Sequence, residues 1–170
     1  MTQRILIAGV GNIFLGDDAF GVEVVRVMAE RPQPAGVSVV DYGIRGFDLA
    51  YALLDVWDTV ILIDALPRGD SPGTLYTLEL DRTEFAGRPP QETMINPHGM
   101  DPVRVLQLAS SMGSVSANIY LVGCEPEDFG DELQGRMGLS LTVQSSVPHA
   151  VEMVEALVGR VSVEAGMCSA

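Results

Sequence analysis

Short, almost wholly apolar runs alternate along the chain with segments whose apolar side chains recur every three or four residues. The runs suit strands buried on both faces and the periodic segments suit amphipathic helices. Their alternation predicts an α/β fold: a three-layer α/β/α sandwich around a mostly parallel central sheet of about five strands. The strands fall near residues 4–10, 37–42, 59–64, 74–80 and 117–123. Arg4 to Val10, Val60 to Ile63 and Ile119 to Val122 have no polar face and belong at the centre of the sheet. The alternating segment from Thr74, which follows the turn Ser71-Pro72-Gly73, belongs at an edge.

The helices carry their own punctuation. Phe20, Val24, Val27 and Met28 share one helical face, which Pro32 and Pro34 terminate. Gly46 opens a short helix bearing Leu49, Ala50, Leu53 and Leu54. Asp101 and Pro102 supply a cap and a first-turn proline for a helix running to Ser110. Val147, Val151, Val154, Leu157 and Val158 mark a last helix, with Pro148 at its start. This gives one domain over residues 1–160, with 161–170 as a flexible tail. Residues 81–97 have no period, and an aperiodic stretch of that length inside a compact domain is usually functional or mobile.

Charge and cysteine content narrow the partners. Ten Lys and Arg against 23 Asp and Glu give 10 − 23 = −13. A surface that acidic repels phosphate backbones and anionic lipid, so neither nucleic acid nor membrane insertion is expected. Cys124 and Cys168 are the only cysteines. They provide no disulfide framework, and a reducing cytoplasm is the expected location. The apolar run at the N-terminus breaks at Gly11-Asn12 without a cleavage signature and reads as a strand, not a signal peptide.

In an open α/β sheet, ligands bind beyond the carboxyl ends of the strands. Asp17 and Asp18 follow the first strand, Asp41 ends the second and Asp64 the third, so three elements deliver carboxylates to one edge. His98, in the aperiodic stretch after Asn96-Pro97, is placed to join them. One of Asp17 and Asp18 is expected to cap the helix that follows, leaving the other to face the crevice. Asp64 ends an apolar strand, where a carboxylate needs a cation or hydrogen-bond donors. One imidazole and two carboxylates suit zinc, manganese, iron or nickel by ligand type. His149, among apolar residues of the last helix, reads as a packed or surface residue. The loop Gly9-Val10-Gly11-Asn12-Ile13-Phe14 opens like a dinucleotide fingerprint, but Phe14 holds the third glycine position and two carboxylates stand where a pyrophosphate would bind.

At these residues the sequence resembles the hydrogenase maturation proteases, endopeptidases that finish the large subunit of nickel-iron hydrogenases. The likeness runs nearly end to end, through Gly9-Val10-Gly11-Asn12, Gly16-Asp17-Asp18-x-x-Gly21, Asp41-Tyr42-Gly43-x-x-Gly46, Ile63-Asp64-Ala65, Pro97-His98 and Val122-Gly123-x-x-Pro126-Glu127. It implies a metal-recognising trio of Asp18, Asp64 and His98, with Asp41 in a supporting role and the Gly43 to Gly46 loop shaping a groove for the substrate tail. The first acid is often Glu in the family; Asp18 keeps the charge with a shorter reach. The implied reaction removes a C-terminal extension from the nickel-iron hydrogenase large-subunit precursor after nickel insertion. The nickel arrives with the substrate, and other divalent ions fit the same ligands. Two other readings share these residues: a nickel-binding maturation chaperone that does not cut, and a nucleotide-binding regulator.

Overall fold

The computed structural model describes residues 2–81, 101–131 and 133–167, with side chains as far as Val163. Five strands, β1 (Ile5–Val10), β2 (Val37–Gly43), β3 (Thr59–Ala65), β4 (Leu75–Leu80) and β5 (Asn118–Cys124), form one sheet in the order β2-β1-β3-β5-β4. The first four in that order run parallel, and β4 pairs antiparallel with β5. The three wholly apolar segments are the central strands and the alternating one is an edge. Side chains of β1 and β3 are buried throughout, whereas β4 is only half-buried.

Helices α1 (Phe20–Ala29) and α4 (Leu141–Met167) cover one face, and α2 (Gly46–Ala52) and α3 (Pro102–Met112) the other. Because side chains alternate across a strand, β1 and β3 serve both cores. Ile5, Ile7, Ile61 and Ile63 meet Phe20, Val24, Met28 and Val151 on one side. Leu6, Ala8, Val60 and Leu62 meet Leu49, Leu53, Val105 and Leu106 on the other. The result is the three-layer sandwich. The Asp101 carboxylate caps α3 as expected, accepting from the Val103 N–H at 2.9 Å.

The last helix departs from the sequence reading. It begins at Leu141, seven residues before Pro148, and Ser140 caps it, its Oγ accepting from the Val143 N–H at 3.3 Å. Pro148 therefore lies inside the helix, where its missing N–H costs one backbone hydrogen bond. Packing of Val143, Val147, Ala150, Val151 and Val154 into the core outweighs that loss. Towards its end, Val161 is buried and the helix continues to Met167, across the start of the expected tail.

Candidate functional site

The parallel strands β2, β1 and β3 end on one edge of the sheet, and the chain leaving β1 turns back over that edge. Gly11, at φ 136°, bends the chain so closely that a side chain there would lie 1.8 Å from the carbonyl oxygen of Asp18. Only glycine fits both the space and the backbone angle. A short 3-10 turn, Gly16–Ala19, then leads into α1. Gly21, one residue into that helix, rests directly on the ends of β1 and β3; a Cβ there would meet the Ile63 and Val10 carbonyl oxygens at 2.0 and 2.4 Å. These two contacts hold the turn that carries Asp17 and Asp18 against the strand that carries Asp64.

The two adjacent aspartates face different ways and neither caps α1 with its side chain, contrary to expectation. Asp17 is wholly buried. Its Oδ2 accepts from the Glu127 and Asp128 N–H groups at 2.8 and 3.0 Å and from the Ser140 hydroxyl at 3.0 Å, while its Oδ1 accepts from the Ser140 N–H at 2.7 Å. Burial of a carboxylate is tolerated here because donors replace its water. Asp18 turns towards the strand edge, its Oδ2 accepting from the Asn12 N–H at 2.7 Å.

Asp64 lies at the end of β3, buried at 7% exposure, with its Oδ1 taking the N–H of the next residue, Ala65, at 2.8 Å. Burial pushes its pKa well above the usual carboxylate range, and the nearby Asp18 carboxylate pushes it further. The Ala65 N–H opposes this, and the Asp101 carboxylate at the start of α3 adds to it. Asp18 and Asp64, from separate elements, thus act on one another at the sheet edge, and α3 brings a third carboxylate into range. The sequence reading assigned Asp101 to capping alone. Its charge on Asp64 could have been suspected only from its place just after the Pro97-His98 stretch.

Asp41 lies two residues before the end of β2, exposed, and lines a cleft of about 350 Å³ with Gly11, Asn12, Phe14, Gly43 and Arg45. Phe14 and Ile44 stand on its wall largely exposed. His98 lies outside the described residues. Among the described residues no three His, Cys, Asp or Glu side chains are grouped to hold a metal ion. His149 is exposed on α4, its Nδ1 3.3 Å from the Ser145 carbonyl oxygen.

The first loop has little to offer a phosphate. The N–H groups of Gly11, Asn12, Phe14 and Leu15 already donate to Gly43 O, Asp18 Oδ2, Asn12 Oδ1 and Asn12 O. A pyrophosphate cradle needs such amides open. No helix of the described residues is long and apolar enough to cross a membrane.

Comparison with known proteins identifies the family. A family model described as hydrogenase maturation protease matches residues 22–157. The Hydrogenase 2 maturation protease of Escherichia coli is 32% identical over 167 residues, covering 96% of this chain and 95% of the relative. The hydrogenase expression/formation protein HupD of Rhodobacter capsulatus is 34% identical over 137 residues; the match covers 78% of this chain and spans 63% of that longer relative. Among solved structures, the hydrogenase maturating endopeptidase HybD from E. coli superposes with a TM-score of 0.74 at 30% identity, covering 93% of each chain. On these matches, and with the sheet shared with the solved relatives, the chain belongs to the hydrogenase maturation protease family and is a peptidase.

Proposed function

We propose that this peptidase removes the C-terminal extension of a nickel-iron hydrogenase large-subunit precursor once nickel is in place, recognising the metal through Asp18, Asp64 and His98. The observation that carries the reading is the convergence of Asp18 and Asp64. Two carboxylates that repel each other at a buried edge, one of them pushed towards its protonated form, make a place where a divalent cation relieves both desolvation and repulsion. Asp101, which also acts on Asp64, stands only three residues after His98 in the chain.

An incomplete ligand set explains selectivity for a loaded substrate. Two carboxylates and one imidazole bind a free ion weakly, and the substrate's own thiolates complete the coordination, so metal and precursor are recognised together. Nickel arriving with the precursor would fix the scissile bond against the sheet edge and polarise its carbonyl or acidify an attacking water. A cation beside Asp64 would oppose the upward push that burial gives its pKa. Asp41 supports the site from the neighbouring strand, and the cleft between the first loop and residues 41–45 receives the extension, with Phe14 and Ile44 as apolar contacts.

Incubating the enzyme with nickel-loaded and nickel-free precursor, and following precursor mass, tests the reading. The loaded precursor should lose its extension and the nickel-free one should not. His98→Ala and Asp64→Asn should abolish cleavage while remaining folded. Binding of loaded precursor without any loss of mass would show a chaperone in place of a protease. Equal cleavage with and without nickel, or normal cleavage by His98→Ala, would refute the metal-recognition mechanism.

A further inference from the structure

The chain between β5 and α4 is fastened onto the loop that carries the site. The N–H of Gly16 donates to the Arg136 carbonyl and the N–H of Arg136 to the Phe14 carbonyl, both at 2.8 Å, while the N–H of Asp17 donates to the Asp128 carbonyl at 3.0 Å. Arg136 also reaches the Asp128 carboxylate at 2.5 Å, closing the connection on itself. At the centre of this seam is the Asp17 side chain, which gathers the N–H groups of Glu127, Asp128 and Ser140 and the Ser140 hydroxyl from 110 to 123 residues away in sequence. Its burial and its four donors leave its oxygens turned into the seam and away from the cleft.

We propose that Asp17 is a positioning residue, whose bonds to the β5–α4 connection fix the turn before α1 so that the Asp18 carboxylate is held towards Asp64. The covalent logic is short. Asp17 is anchored through its own N–H and through both carboxylate oxygens, so its backbone is fixed from two sides. Asp18, the next residue, accepts from the Asn12 N–H, and where its carboxylate lies follows from the backbone direction that Asp17 sets. If the seam opens, the turn gains freedom, and the ligand carboxylate moves with it. A residue that acts as a metal partner must be held to a fraction of an ångström. A buried, donor-saturated carboxylate beside an outward-facing one provides that hold without touching the substrate. The seam also gives the otherwise irregular β5–α4 connection a functional use, since it braces the site from behind.

The proposal rests on the protease reading, and its test separates the two. Asp17→Asn keeps the shape of the side chain but turns an NH2 group towards N–H donors. Cleavage of nickel-loaded precursor is compared with that by wild type and by Val154→Ala, a core truncation far from the turn, at a temperature where all three are folded. The expected result is a loss of about tenfold or more in kcat for Asp17→Asn, with wild-type kcat for Val154→Ala despite its lower Tm. Hydrogen exchange at the Asn12 amide, which reports the bond to Asp18, should speed up in Asp17→Asn and not in Val154→Ala. Ser140→Ala should show a smaller loss in both readouts, restored by Ser140→Thr, and this pair decides the matter if Asp17→Asn does not fold. Wild-type kcat and unchanged Asn12 exchange in the folded variants would overturn the proposal, as would equal losses in Val154→Ala. If wild type itself does not cleave, the protease reading fails and the Asn12 exchange alone decides the role of Asp17.

Discussion

Gly21→Ala tests whether contact between α1 and the strand ends sets the site. The added methyl would lie 2.0 Å from the Ile63 carbonyl oxygen and 2.4 Å from that of Val10, and real Cβ contacts do not fall below 3.0 Å, so α1 must retreat by at least 3.0 − 2.0 = 1.0 Å. Both oxygens belong to strands in the middle of the sheet, buried throughout, so the helix must give way. Overpacking of this kind costs roughly 3 kcal/mol at the upper end of the usual range. Replacing a helical glycine by alanine returns about 1 kcal/mol. The difference, about 2 kcal/mol, corresponds to a fall in Tm of roughly 4–8 °C for a chain of this size.

The effect on activity should be larger than the effect on stability. Asp18 stands three residues before Gly21, so a retreat of α1 draws the Asp18 carboxylate away from Asp64, and a displacement near 1 Å at a reacting geometry costs on the order of 100-fold in rate. Gly159→Ala provides the matched comparison. Gly159 also lies inside a helix but has nothing within 4 Å of its Cβ position, so the same chemical change should raise stability by about 1 kcal/mol and leave cleavage untouched. Circular dichroism melting and precursor cleavage well below both melting points are the assays. A Gly21→Ala enzyme that melts within about 1 °C of wild type and cleaves normally would refute the reasoning.

Other outcomes follow from the same geometry. Asp64→Asn should stabilise the protein at neutral pH while abolishing cleavage. The folded state raises the pKa of Asp64, so its charged form is a penalty absent below the ordinary value of about 4 and growing as pH rises towards the folded value. The gap in Tm between Asp64→Asn and wild type should therefore open with rising pH, and a gap that closes instead would contradict the assigned cause. Phe20→Ala removes a fully buried ring at the start of α1 and should cost about 4 kcal/mol in urea unfolding. His149→Ala, at an exposed position, should change stability by less than about 0.5 kcal/mol and leave the cleavage rate unaltered.

The alternation of apolar runs with helical periods was enough to place all five strands, to put β1, β3 and β5 at the centre and to send β4 to an edge. Those features depend on which side chains must leave water, and a linear pattern records that directly. The placing of Asp17, Asp18, Asp41 and Asp64 at one sheet edge followed from the same pattern, since parallel strands share the direction in which they end, whereas the choice of Asp18 over Asp17 came from the family resemblance. The tertiary structure decided what the pattern could not encode. Two neighbouring aspartates look alike in sequence, yet Asp17 meets donors from residues 127–140 and is withdrawn from the site, while Asp18 remains at its edge. Asp101 acts on Asp64 across more than thirty residues of chain, and the start of α4 was hidden because the packing of Val143 and Val147 outweighs the interruption at Pro148. Local sequence specifies which groups need burial or a partner, whereas the identity of the partner depends on distances that exist only once remote segments have been brought together.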